Sequence, residues 1–178
     1  MSPLLRIQRL SQMILFRNIS SGPTSNYVFW LVSGDIYRNL AFEATLLNNK
    51  ARYEIESSSQ RRPADVIMWR SDPCVVIGRN QVPWLEANPR EVECRGWRLA
   101  RRMSGGGAVF HDHGNLNISF LESRKYFDRL EYMKFLQQTL MSNWPRLNVF
   151  LGIRHDLWLL PSDLSEDTGD SKVYSVIA

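Results

Sequence analysis

Cysteine is scarce. Only Cys74 and Cys94 occur among 178 residues, far apart and in no Cys-x-x-Cys arrangement. That spacing supplies neither a disulfide framework nor a zinc site, and two buried thiols are the expected reading. No apolar run approaches the roughly 18 residues that cross a bilayer, which excludes a membrane-spanning helix. Acidic residues are missing before Asp35, although the chain carries 18 of them against 22 lysines and arginines. What is present is the composition of a globular domain, with 44% hydrophobic and 11% aromatic residues, enough for one sizeable core.

The acid-free N-terminus holds Arg6, Arg9 and Arg17, with serines and with Leu4, Leu5, Ile7, Leu10, Ile14 and Leu15 between them. This pattern predicts a mitochondrial or plastid transit peptide over residues 1–25, and a basic N-terminal helix is the plainer alternative. The folded domain is expected over 26–178, after a joint rich in Ser, Gly and Pro. Without those arginines the chain is close to neutral, so its basic isoelectric point gives no argument for a nucleic-acid partner.

Along the domain, Tyr27 to Val32 reads as a strand, and Asp35 suits the cap of a helix carrying Leu40, Ala41, Ala44 and Leu47 on one side. Val66 to Trp69 and Cys74 to Ile77, joined by Ser71, Asp72 and Pro73, give a hairpin signal. Gly96 precedes a strand-like run at Trp97 to Ala100, and a second pair of runs follows at Ala108 to Phe110 and Leu116 to Leu121. Asp128 suits the cap of a helix with Leu130, Met133, Leu136 and Leu140 on its core face, ending near Trp144 and Pro145. Strand character returns at Leu147 to Ile153, Asp156 to Leu160 and from Val173. The order predicts an α+β domain with a mixed, largely antiparallel sheet flanked by helices.

The segment Arg101-Arg102-Met103-Ser104-Gly105-Gly106-Gly107-Ala108-Val109-Phe110-His111-Asp112 sets two guanidinium groups before three glycines and a strand. Backbone N–H groups of such a loop close around an anion or carbonyl, and arginines add forked donors for phosphate. No Gly-Lys-Ser/Thr follows, and no helix opens after the glycines, so the common nucleotide loops are excluded. Ligand capture and a plain hairpin turn both remain open on these residues alone. Ser104 lacks the nucleophile-elbow pattern and reads as a loop hydroxyl. His111 and His113 share one strand face but lack a third ligand, so no metal site is expected. Arg79, Asn80, Gln81 and Trp84 follow Gly78 at a strand end, where sites often form.

Several blocks resemble the lipoate-protein ligase and lipoyltransferase family. They are Asn39-Leu40-Ala41-Phe42-Glu43, the run Val75-Val76-Ile77-Gly78-Arg79-Asn80-Gln81-Val82-Pro83-Trp84, the run from Leu99 through the glycines to Asp112, and Gly114-Asn115-Leu116-Asn117. The resemblance extends from about Asp35 to Val173 and, with the N-terminal pattern, is similar to the mitochondrial lipoyltransferase branch. It implies a fold like the catalytic domain of biotin ligases and class II aminoacyl-tRNA synthetases. It also implies a reaction in which lipoate and ATP, with Mg²⁺, give lipoyl-AMP. A lysine ε-amine on an acceptor domain then takes the lipoyl group and releases AMP. The animal branch receives lipoyl-AMP or a lipoylated donor protein instead. The implied acceptors are lipoyl domains of 2-oxoacid dehydrogenase complexes and the glycine-cleavage H protein, in the mitochondrial matrix.

By position in the family motifs, Arg102 is expected at the adenylate phosphate, and Ser104, Gly105, Gly106, Gly107, Ala108, Val109, Phe110 and His111 at the nucleotide and acyl site. Arg154 and Asp156, in Arg154-His155-Asp156-Leu157, are expected to reach the adenylate, and Lys172 to contact its carboxyl oxygen and phosphate as the catalytic group. After Lys172 the chain departs from the family's Ser-Gly-Ser/Thr-Ala continuation and reads as a shortened form. Two other readings follow: a non-catalytic product that binds adenylate or a partner, and an octanoyltransferase.

Overall fold

The computed structural model describes residues 13–17, 27–56, 65–122, 125–160 and 174–176. The chain divides into two compact units, Met1–Arg124 and Lys125–Ala178. No helix among the described residues is long and apolar enough to cross a membrane.

The first unit holds two sheets. In one, β1 (Met13–Arg17), β2 (Tyr27–Leu31), β3 (Asp65–Trp69) and β7 (Asn117–Leu121) lie in the order β1-β2-β3-β7. In the other, β4 (Cys74–Ile77) is flanked by β5 (Arg98–Arg101) and β6 (Val109–His111). β2 runs parallel to β3 and β4 parallel to β5, so each pair needs a crossover. Helix α1 (Ile36–Glu56) makes the first, and the short helices α2 (Pro83–Glu86) and α3 (Pro89–Cys94) make the second. The remaining pairings among described residues are antiparallel, giving the mixed, antiparallel-rich α+β architecture expected from the sequence.

The expected hairpin does not form. β3 pairs with β2 and β7, and β4 pairs with β5 and β6. The link between β3 and β4 is held elsewhere. The Asp72 amide and the Ser71 hydroxyl both donate to Gly34 O, and Asn39 Nδ2 donates to Arg70 O at 3.1 Å and to Ser33 O at 2.9 Å. These bonds tie the link to the start of α1 and send β4 into the second sheet. β6 and β7 separate in the same way, one beside β4 and the other beside β3.

Asp35 caps α1 as expected, its Oδ1 accepting from the amides of Tyr37 and Arg38. The buried face differs from the expected one. Ala41 and Leu47 are exposed, whereas Ile36, Asn39, Phe42 and Lys50 turn inward. Apolar spacing assumes that polar side chains face water. Here they turn in because each finds a partner. Lys50 Nζ donates to Leu121 O at 2.7 Å and pairs with Asp65 Oδ2 at 3.4 Å. Lys50→Met is expected to cost about 2 kcal/mol by stranding these acceptors, checked as a drop in chemical-denaturation stability. The core between α1 and the sheets contains Phe29, Ile67, Trp69 and Val76. Each fully buried large side chain there contributes about 1.5–3 kcal/mol. Cys74 is buried as expected, but Cys94 is exposed, since Val92 is the buried residue of α3.

The second unit contains α4 (Arg129–Asn143) and a sheet in the order β10-β9-β8, formed by β8 (Asn148–Leu151), β9 (Leu157–Leu160) and β10 (Tyr174–Val176). Asp128 Oδ1 accepts from the Leu130 and Glu131 amides, and Met133, Leu136 and Leu140 pack toward Val149 and Leu157, as the spacing predicts.

Candidate functional site

Side chains from α1, β3, β6, β7 and the end of β5 meet beside the glycine loop. Pairing of β3 with β7 sets Trp69 opposite Asn117 and Ile67 opposite Ser119, so Trp69, Asn117 and Ser119 share the face that packs on α1. Ser119 Oγ donates to Glu43 Oε2 at 2.9 Å. The Trp69 indole N–H lies close enough to the same carboxylate to favour its ionised form, yet makes no hydrogen bond within the described residues. Asn117 Nδ2 is likewise buried without a partner there. Two orphaned donors on neighbouring strands are a costly feature in a folded core, and they are what a polar ligand group would satisfy.

His111 closes the cluster from β6. Its ring meets Trp69 edge to face, with centroids 5.7 Å apart, and its Nδ1 lies 2.8 Å from Asn115 Nδ2. Asn115 Nδ2 can only donate, so His111 Nδ1 accepts and the ring proton sits on Nε2. Burial, and then the Arg102 charge, pull the His111 pKa below its ordinary value of 6.5. Burial pushes the Glu43 carboxyl above the usual carboxylate range, against the pull of Ser119, Trp69 and Arg102. The depressed histidine has a stability signature. Its contribution is complete above the ordinary value of about 6.5 and is lost as pH falls toward the lower folded value. The His111 contribution to melting temperature is therefore expected to fall on acidification below about pH 6.5, opposite in sign to that of the raised Glu43 carboxyl, and His111→Gln to remove it.

Arg102 holds the glycine loop from inside. Its Nε and Nη2 donate to Gly105 O at 3.1 and 2.7 Å, Nη2 to Gly107 O at 2.8 Å and Nη1 to Val76 O at 3.4 Å. This leaves a donor on Nη1 and the positive charge for an anion. Gly106 has φ +97°, which calls for glycine, and a Cβ there would also crowd the end of the Arg102 side chain, 2.7 Å from Nη2. The loop is backed by the turn after β4. The Arg79 amide donates to Ser104 O at 2.9 Å, and Gly78 packs so closely on Gly106 O that a Cβ would sit at 2.1 Å.

The expected site residues therefore divide. Arg102, Gly105, Gly106, Gly107 and His111 come together, with Ser104 exposed at the edge of the loop. Val109 packs into the core next to Val76. Phe110, adjacent on the strand, faces the other side, where its ring packs at a tilt against Trp97 with centroids 4.7 Å apart. Phe110 and Ala108 there line a separate cavity of about 330 Å³ with Val75, Val92 and Trp97. Val109 lines this cavity as well, so the two apolar residues expected at the acyl site share one pocket. Arg154 and Asp156 belong to the second unit, in a turn where the Gly152 amide donates to Asp156 O and His155 adopts φ +57°. Lys172 lies outside the described residues. His113 pairs with Asp72 at 3.1 Å instead of joining His111.

The sequence reading did not single out Glu43, Trp69, Asn117 and Ser119 as site residues. Polar Asn117 and Ser119 share the strand face of buried Leu121, and this two-residue period carried the signal. Among the described residues no group of three His, Cys, Asp or Glu side chains gathers as a metal cage.

Residues 35–172 match the model of the lipoyl protein ligase A/B catalytic domain. The mitochondrial lipoyl amidotransferase LIPT1 of Mus musculus is 39% identical over 78% of this chain and 35% of its own length. Among solved structures, P. falciparum LipL1 in complex with lipoate is similar with a TM-score of 0.58 and 28% identity, covering 70% of this chain and 38% of that one. A T. acidophilum protein with bound lipoic acid has a TM-score of 0.53 and 26% identity, covering 70% and 49%. The chain belongs to the lipoyl protein ligase A/B catalytic domain family, and its mixed α+β fold is the one shared with biotin ligases and class II aminoacyl-tRNA synthetases. It spans about a third of the length of the curated relatives it matches.

Proposed function

We propose that this chain carries the acyl-adenylate site of a mitochondrial lipoyltransferase. Lipoyl-AMP is its donor, and its acceptor is a lysine on a lipoyl domain of a 2-oxoacid dehydrogenase complex or on the glycine-cleavage H protein. The observation that carries the reading is the Arg102-held glycine loop standing beside the orphaned donors of Trp69 and Asn117. Arg102 offers charge and a spare donor to the adenylate phosphate, and the two orphaned donors offer hydrogen bonds to polar atoms of the acyl or anhydride group.

In the transfer step the acceptor lysine's neutral amine attacks the lipoyl carbonyl carbon. A C–N bond forms, the C–O bond to phosphate breaks, AMP leaves with the electron pair, and the ammonium proton passes to solvent. The nucleophile comes from the acceptor, so the domain's task is to bind, orient and neutralise the phosphate charge. By their place in the family motifs, Lys172 is assigned the catalytic role and Arg154 and Asp156 adenylate contacts. Formation of lipoyl-AMP from lipoate and ATP would bring Mg²⁺ with the nucleotide. Residues 1–25 are the proposed transit peptide, whose removal would take β1 from the edge of β2 and leave β2 bounding that sheet.

Mass spectrometry of an acceptor lipoyl domain incubated with the protein and lipoyl-AMP tests this. The expected product is one lipoylated lysine, with less product from octanoyl-AMP. An unmodified lysine beside an active full-length relative defeats the transferase reading. Tight lipoyl-AMP binding without transfer would restrict the chain to ligand capture, and faster transfer from octanoyl-AMP would make it an octanoyltransferase.

A further inference from the structure

The two adjacent arginines do different work. Arg102 reaches into the glycine loop, whereas Arg101, the last residue of β5, is exposed and turns to the segment after β4. Its Nη1 donates to Gly78 O at 3.1 Å, Arg79 O at 3.0 Å and Gln81 O at 2.6 Å. Three carbonyl oxygens converging on one point repel one another unless a cation sits among them. The turn is closed by two further bonds, from the Gln81 amide to Gly78 O at 3.1 Å and from the Gly78 amide to Gln81 Oε1 at 2.7 Å.

This turn is the rear wall of the glycine loop. Its Arg79 amide supplies the partner of Ser104 O, and its Gly78 lies against Gly106 O. The Arg102 amide is fixed to the same region through Ile77 O at 3.1 Å. A turn held open by carbonyl repulsion would withdraw that wall, and Arg102 would then grip a loop without backing.

We infer that Arg101 is a positioning residue, acting through the 78–81 turn on the glycine loop without touching the ligand phosphate. The inference rests on the acyl-adenylate reading for its functional arm, while its structural arm stands without it.

The test measures amide hydrogen exchange and calorimetric lipoyl-AMP affinity in Arg101→Met and Arg101→Lys. In the methionine variant the Arg79 amide is expected to exchange about tenfold faster and affinity to fall about tenfold. The amides of α4 should keep their rates. Lysine should restore most of both, because an ammonium donates to several carbonyls. If the methionine variant does not fold, Arg101→Gln replaces it, with the same expectations. Unchanged Arg79 exchange overturns the inference, whether affinity falls, which would make Arg101 a direct ligand contact, or stays as it was. Failure of the wild type to bind lipoyl-AMP would count against the acyl-adenylate reading, leaving the exchange result to decide the role of Arg101.

Discussion

Gly78→Ala is expected to cost about 3 kcal/mol of stability and to abolish measurable lipoyl-AMP binding, although Gly78 has no side chain to offer a ligand. The added methyl carbon would lie 2.1 Å from Gly106 O, a backbone atom that cannot swing aside. Either the turn or the glycine loop must move, and the Arg79 amide bond to Ser104 O at 2.9 Å joins the two. The glycine run provides the contrast. A Cβ at Gly105 or Gly107 meets nothing within 4 Å, so alanine at either position should change stability by less than about 0.5 kcal/mol. Thermal melts of the three variants, with calorimetry for binding, check the ranking. Equal effects at Gly78 and Gly105 would mean that the turn does not buttress the loop.

Arg102→Ala is expected to weaken lipoyl-AMP by about 1.5–3 kcal/mol, the range for charge-assisted hydrogen bonds. The effect has two sources. The phosphate loses its cation, and Gly105 O and Gly107 O lose the donors that hold the loop at 2.7 and 2.8 Å. A second readout separates Arg102 from a merely structural residue. Its charge opposes the burial that pushes the Glu43 carboxyl upward, so removing it should raise that carboxyl further, visible in a carbon-13 NMR titration. Arg102→Lys should recover the charge effect better than the loop, since one ammonium cannot reproduce the fork between two carbonyls. Unchanged affinity in calorimetry would reject the assignment.

Much of this was legible in the sequence. Asp35 and Asp128 announced their helices because a capping carboxylate is a local signal, decided by residues two and three positions away. The glycine loop and Arg102 were legible as chemistry. The strand partners were not. Runs bounded by Ser71, Asp72 and Pro73 look like a hairpin, but the decision lies with Gly34 and Asn39, more than thirty positions earlier, which hold the link by three hydrogen bonds. The inward face of α1 was hidden for a related reason. Asn39, Glu43 and Lys50 turn inward toward partners on loops and strands distant in the sequence. Phe110 shows the reverse case, where simple strand alternation already assigns it to the side opposite His111.

The position of β3 also bears on how the molecule assembles. It receives β2 on one edge from a segment already synthesised, but waits for β7, far downstream, to cover the other. While the ribosome is still making the intervening stretch, a hydrophobic ribbon stands with one flank unsatisfied, a known invitation to intermolecular strand pairing. Such remote closure also lengthens the conformational search. The face that carries Trp69, Asn117 and Ser119 is therefore complete only once β7 has left the ribosome.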